Sequence, residues 1–189
     1  MNFKEKLEQY ILTKSEKIKI NSNDIKKGDV FIALQGNNVH GNKYINSAIK
    51  NGAKYCISSK QDKKIKNNKV IFVRDLIYYL ESLAINKRSE YNGKVVGITG
   101  SAGKTTLKET LTFFLKKIYK VSYSKKSFNN QLGVIISLLN MDLKSKFSIF
   151  ELGTNNFGEI KYLTNIIKPN QIFITNIQST HLENFQTKN

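Results

Sequence analysis

The sequence predicts an α/β protein in two parts, a small mixed domain over residues 1–90 and a parallel-sheet domain over residues 91–189. Three observations carry that reading. Short apolar runs alternate with helically spaced apolar residues along the chain, the second part repeats strand and helix without interruption, and a glycine-rich loop stands between the first strand and first helix of that part. A length of 189 residues with 40% apolar composition supplies cores for two small domains and is too short for a large multidomain enzyme.

In the first part, residues 3–12 read as a short helix, and Val30-Phe31-Ile32-Ala33-Leu34 as a buried strand following the turn Lys26-Lys27-Gly28-Asp29. Residues 41–51 read as a helix stopped by Gly52, and residues 54–58 and 70–73 as two further strands. The lysine-rich stretch 59–69 between those strands has no apolar period and reads as a solvated loop. Asp75 stands where it can cap a helix whose Leu76, Leu80, Leu83 and Ala84 share one face. Polar residues Ser89-Glu90-Tyr91-Asn92-Gly93 then break the period and mark the domain boundary.

The second part begins with strand 95–99, then a helix from Lys104 whose Leu107, Leu111, Phe114, Leu115 and Ile118 are expected on one buried side. Strand 121–124, helix 131–140, strand 147–151, helix 159–167 and strand 171–176 complete the alternation. Such a run makes a parallel sheet with helices on its faces.

Thirty-one Lys and Arg against fourteen Asp and Glu give a formal charge of +17, which would suit a nucleic acid, an anionic membrane surface or a phosphorylated substrate. The excess is almost all lysine in a chain also rich in Asn and Ile, so it reads as a compositional bias and not as a binding patch. No helix-turn-helix, zinc site or aromatic RNA-binding strand motif accompanies it, and a basic nucleic-acid-binding protein stays only as an alternative. The lone cysteine, Cys56, cannot form an internal disulfide and reads as a buried strand thiol, which fits a reducing cytoplasm. No apolar stretch approaches the ~20 residues that span a bilayer, and no secretory leader follows Met1.

Chemistry concentrates at three strand ends. In Thr99-Gly100-Ser101-Ala102-Gly103-Lys104-Thr105-Thr106 the glycines let backbone N–H groups turn toward one anion, the following helix adds its positive end, and the Lys104 ammonium reaches outer phosphates. The Thr105 hydroxyl can then hold Mg2+. The strict phosphate-loop spacing is missed by one residue, because Ile98 stands at the first glycine position. Strand 147–151 ends in Glu151, which a parallel sheet delivers to the same edge, as a metal-site carboxylate or as a solvated terminus. The last strand leads through Thr175 and Asn176 to His181, a metal ligand, a phosphate contact or an exposed loop residue.

At these residues the chain resembles the Mur ligase family of ATP-dependent amide-bond ligases of peptidoglycan synthesis. Asn129-Asn130-Gln131-Leu132-Gly133-Val134, Glu151-Leu152-Gly153-Thr154-Asn155-Asn156 and Thr175-Asn176-Ile177 resemble the branch that joins D-alanyl-D-alanine to UDP-N-acetylmuramoyl-tripeptide. The segments Asp24 to Gly36 and Ala48 to Ala53 resemble that family's small substrate domain. The resemblance implies an N-terminal α/β substrate domain followed by the first half of a parallel-sheet P-loop ATPase domain. It further implies that Gly100, Ser101, Ala102, Gly103, Lys104, Thr105 and Thr106 wrap the ATP phosphates and that Thr105 with Glu151 holds Mg2+. His181 would sit on a second metal, Asn130, Thr154 and Asn155 would line the groove toward the acyl substrate, and Ser22 would contact the UDP part. A related ligase that adds the third residue or polyglutamate is the nearer alternative.

The chain departs from the family's pattern in two places: Asn21-Ser22-Asn23 stands where Asp-Ser-Arg is usual, and Asn42 stands where a His usually follows Gly41. Loss of the Arg removes a strong phosphate or carboxylate contact. Family ligases run to more than twice this length, so the chain reads as an N-terminal portion without ligase activity by itself, with apolar surface left exposed on an incomplete sheet.

Overall fold

The structure, a computed structural model, describes residues 1–62, 65, 68–125 and 128–178. The chain divides into two compact units, Met1–Leu83 and Ala84–Asn189, and the division falls inside a helix, not in the polar segment after it.

The first unit carries a four-stranded sheet of order β1-β2-β3-β4, formed by Ile18–Lys19, Val30–Ala33, Tyr55–Ser58 and Val70–Phe72. All three pairings are parallel, with Phe31 opposite Cys56 and Ile32 opposite Ile57. Every residue of β2 and β3 is buried, as a parallel strand covered on both faces requires. Phe31, Ala33 and Cys56 point to one face and pack with Ile25, Ala53 and with Ile45 and Ala48 of helix α2 (Ile45–Lys50). On the other face Tyr55 meets Phe3 and Tyr10 of helix α1 (Phe3–Thr13), and the Tyr10 hydroxyl donates to Gly28 O at 2.7 Å. A capping box between Asn2 and Glu5 starts α1.

The expected helix over 41–51 is two pieces, a 3-10 turn Gly41–Tyr44 and then α2. The break follows from His40, whose Nδ1 accepts the Asn42 N–H, and from Asn42, whose buried side chain donates to Lys60 O at 2.6 Å and accepts from Ser58 Oγ. Asn42 thus closes the end of β3. Strand β1 and a second 3-10 turn, Ser22–Asp24, went without a sequence signal because each is only two or three residues long. Cys56 is buried in β3 as expected, and burial pushes its thiol up to about 12. In the stretch 59–69, residues 63, 64, 66 and 67 lie outside the described residues.

Helix α3 (Leu76–Ser89) begins where the Asp75 carboxylate accepts the Tyr78 N–H at 3.0 Å and runs across the division between the units. The second unit holds strands β5 (Lys94–Thr99), β6 (Val121–Tyr123), β7 (Phe147–Glu151) and β8 (Gln171–Ile174), all parallel, in the order β6-β7-β5-β8. Helix α4 (Lys104–Leu115) connects β5 to β6; α5 (Gln131–Asn140) and α6 (Glu159–Ile167) lead to β7 and β8. Because the chain first moves outward from β5 and then returns, right-handed crossovers put α4 on one face and α5 and α6 on the other. The packing agrees. Leu107, Leu111 and Leu115 of α4 cover Val96, Ile98 and Ile149, while the intervening Gly97 faces Ile167 of α6.

The expected side of α4 holds for Leu107, Leu111 and Leu115 but not for its other two residues. Phe114 and Ile118 are 58% and 75% exposed, whereas Lys108 and Thr112 are buried. The stripe is turned toward the polar pair, and Ile118 lies past the helix end. Strand β8 is a sheet edge exposed throughout, with Ile172, Phe173 and Ile174 open, so the expected exposed apolar surface is present. No helix among the described residues is long and apolar enough to cross a membrane.

Candidate functional site

The order β6-β7-β5-β8 has its topological switch between β5 and β7, where α4 leaves to one face and the chain after β7 to the other. Open α/β sheets present ligand crevices at such a point, beyond the carboxyl ends of the strands. The loop after β5 is fixed by contact with the chain leaving β8. Gly100 has φ +133°, and a Cβ there would lie 2.2 Å from Thr175 Oγ1 and 2.9 Å from Asn176 O, so no side chain fits. The Ser101 N–H donates to Asn176 O at 3.1 Å and the Ala102 N–H to Asn176 Oδ1 at 2.9 Å. Ser101 Oγ donates to Gln178 O and accepts the Gln178 N–H.

These bonds commit the N–H groups of Ser101 and Ala102, so the loop does not present them to an anion as a freely wrapping cradle would. Gly103, at φ +80°, opens α4, and Leu107 is the first residue to donate back into the helix, to Gly103 O at 2.9 Å. The N–H groups of Lys104, Thr105 and Thr106 therefore have no acceptor within the helix, and they lie at the positive end of its dipole. The Lys104 ammonium folds over the loop and donates to Gly100 O at 2.6 Å and Ser101 O at 3.4 Å.

Glu151 closes β7 and is 1% exposed. Its N–H donates to Ser124 Oγ at 3.2 Å. Its Oε2 accepts the Thr105 hydroxyl at 2.9 Å and faces the Lys108 ammonium at 3.3 Å, and its Oε1 accepts from Asn129 Nδ2 at 2.9 Å. Lys108 is fully buried and also lies 3.4 Å from Glu109 Oε1. A buried carboxylate persists only when paired and hydrogen-bonded in this way. The hydroxyl proton of Thr105 is directed to Glu151, so what Thr105 can offer a cation is an oxygen lone pair.

The remaining expected site residues fall in different places. Asn130 is the N-cap of α5, its Oδ1 accepting the Gly133 N–H at 2.8 Å, and its neighbour Asn129 is the one that reaches Glu151. Thr154 and Asn155 belong to a turn tied to Glu159: the Asn155 N–H donates to its Oε2 at 2.6 Å, and Thr154 Oγ1 donates to Asn156 O. Bonds from the Asn156 side chain and from the backbone of the turn hold the Glu159 carboxyl down at about 2. Thr106 is exposed on the first turn of α4. Ser22 is buried in the first unit's 3-10 turn, its carbonyl accepting Asn51 Nδ2 at 3.0 Å. His181 lies outside the described residues. Among the described residues no three His, Cys, Asp or Glu side chains gather to hold a metal. Sequence reading missed Lys108, Asn129 and Ser124. The spacing Thr105 to Lys108, nearly one helical turn, was the available signal, but one lysine among so many did not stand out.

Comparison with known proteins adds a lineage to this geometry. Residues 14–89 match the Mur ligase family catalytic domain and residues 98–189 the Mur ligase middle domain. The UDP-N-acetylmuramoyl-tripeptide–D-alanyl-D-alanine ligase of Rickettsia prowazekii is 44% identical over 170 residues, covering 90% of this chain and 38% of the relative. The enzyme of that name from Haemophilus influenzae is 33% identical over 174 residues. The crystal structure of MurF ligase from Thermotoga maritima in complex with ADP superposes with a TM-score of 0.77 at 32% identity, over 94% of this chain and 40% of that one. MurF from Acinetobacter baumannii gives a TM-score of 0.79 at 28% identity, over 97% of this chain and 42% of that one. The chain thus spans about two fifths of the length of the relatives it matches.

Proposed function

Because the chain belongs to the Mur ligase family, we propose that it carries the substrate domain and the phosphate-binding half of the nucleotide domain of an ATP-dependent amide-bond ligase, of the kind that joins D-alanyl-D-alanine to UDP-N-acetylmuramoyl-tripeptide in the cytoplasm. The observation that carries the proposal is the meeting of Thr105 and the buried Glu151 at the switch point, beside the N–H groups that open α4 and have no acceptor within the helix. That arrangement suits a polyphosphate with a divalent cation.

In this reading Lys104 leaves its loop carbonyls and neutralises the outer phosphates, while the N–H groups of residues 104–106 hold the phosphate nearest the helix. Thr105 and Glu151 fit Mg2+: both are hard oxygen donors, and the Glu151 carboxylate is already oriented by Asn129 Nδ2. When bound, Mg2+ would supply charge neutralisation on the transferring phosphoryl group. His181 is proposed for a second metal, Thr154 and Asn155 for the side toward the acyl substrate, and Ser22 for the UDP part. Asn130 acts through the cap that fixes α5, with Asn129 as the residue facing the site. The reaction is attack of the peptide carboxylate on the γ-phosphorus with loss of ADP, then attack of the D-alanyl-D-alanine amine on the acyl carbon with loss of phosphate and a proton. No covalent nucleophile from the protein enters either step, so positioning and charge neutralisation do the work.

Calorimetric titration with Mg·ATP at fixed salt tests the reading. Saturable binding by the chain that is lost in Lys104→Ala is expected. Equal binding by both chains would show that attraction to a chain of net charge +17, and not the loop, accounts for it.

A further inference from the structure

The buried lysine beside Glu151 has no part in the reading above. We infer that Lys108 is a positioning residue that makes the Thr105/Glu151 pair accept a divalent cation only together with a nucleotide's phosphates and not as the bare ion. This rests on the reading of the α4 N-terminus as a phosphate site.

The Glu151 carboxylate is already paired with the Lys108 ammonium, which also lies 3.4 Å from Glu109 Oε1. Lys108 faces Glu151 Oε2 at 3.3 Å, the same oxygen that accepts the Thr105 hydroxyl. Its side chain is 0% exposed, so the ammonium cannot be replaced by a swing into solvent at no cost. A hard divalent cation gives up hydration only for several oxygen ligands and net negative charge. Here it would find a hydroxyl lone pair and one carboxylate whose charge is already neutralised, with no third acid among the described residues to complete a cluster. The phosphates of a nucleotide supply the missing charge and oxygens. Lys108 at the same time holds the Glu151 carboxylate in place through the 3.3 Å contact.

The test uses Mn2+ alone as the probe, followed by electron paramagnetic resonance of the free ion. It is titrated into the 189-residue chain, into Lys108→Met, and into Lys108→Met combined with Glu151→Gln. Removing the ammonium uncovers the carboxylate, so Lys108→Met should bind Mn2+ at least about tenfold tighter than the parent, the gain disappearing in the double variant. Equal Mn2+ affinity of the parent and a folded Lys108→Met chain, judged by circular dichroism, would overturn the inference. So would a gain that survives Glu151→Gln. If the methionine leaves the chain unfolded, Lys108→Gln keeps a hydrogen-bond donor without the charge and gives the same comparison. A parallel titration of the parent with Mg·ADP separates the two ideas: absence of binding there sinks the nucleotide reading, while the Mn2+ comparison still decides the role of Lys108.

Discussion

Replacing Lys87 by methionine should change how stability depends on pH, and the structure sets both the window and the size. Lys87 lies in the last turn of α3, is 0% exposed, and donates from Nζ to Leu139 O at 2.7 Å. Leu139 is in the last turn of α5, whose carbonyls lack helical partners, so the contact caps that helix. Burial pulls the ammonium from 10.5 down to about 8, with the Asp142 charge acting in the opposite direction. The shift corresponds to about 3 kcal/mol against the charged form. Below pH 8 both folded and unfolded chains are protonated at this site and the full cost is present. Between pH 8 and 10.5 the unfolded chain holds a proton that the folded chain has released, so stability rises with pH. Urea unfolding from pH 7 to 10.5 should therefore show the parent gaining about 3 kcal/mol relative to Lys87→Met as the pH is raised. Parallel stability curves for the two chains, within about 0.5 kcal/mol, would refute the reasoning.

Three further outcomes are expected. Gly100→Ala should cost at least about 2 kcal/mol in urea unfolding, from backbone strain at φ +133° and the clash with Thr175, and it should abolish nucleotide binding; a cost under about 1 kcal/mol would contradict the geometry. Cys56, with its thiol raised from 9.0 to about 12, should have a thiolate fraction at pH 8 about a thousandfold below that of an ordinary thiol, so alkylation of the native chain should be slow and should accelerate with urea. Glu159 is held near 2, against 4.5 in its ordinary state, so its contribution to the turn at 154–158 is present above pH 4.5 and is lost as pH falls toward 2; amide protection at Asn155 and Asn156, relative to the unstructured exchange rate at each pH, should fall over that range in the parent and be low throughout in Glu159→Gln.

The regular elements were legible where the apolar period was long and its ends were chemically marked. Helices Gln131–Asn140 and Glu159–Ile167 and strand Phe147–Glu151 have the bounds expected from sequence, one of them capped by Asn130. The helix over 41–51 split because its first turn answers to His40, Ser58 and Lys60, partners remote from any local period. The glycine-rich loop after β5 was visible from its glycines, yet the commitment of the Ser101 and Ala102 N–H groups to Asn176 joins residues some 75 positions apart. The α4 stripe was misplaced toward Phe114 and Ile118 because hydrophobicity alone was used to find the buried side. A lysine buried by a carboxylate looks, in sequence, like any solvated lysine.

Local chemistry therefore determined the class of this protein. Strand and helix alternation requires a parallel sheet, the parallel sheet requires that Thr105 and Glu151 share one edge, and the glycines at 100 and 103 require a tight turn into a helix N-terminus. What only the tertiary structure decided is which polar residues are paid for by burial partners: Lys108 and Asn129 on Glu151, Lys87 on the end of α5, and Asn42 on the end of β3. The physical reason is that desolvating a charge or an amide is unfavourable until a specific partner arrives. Such partners are set by the packing of distant elements, which no short window of sequence contains.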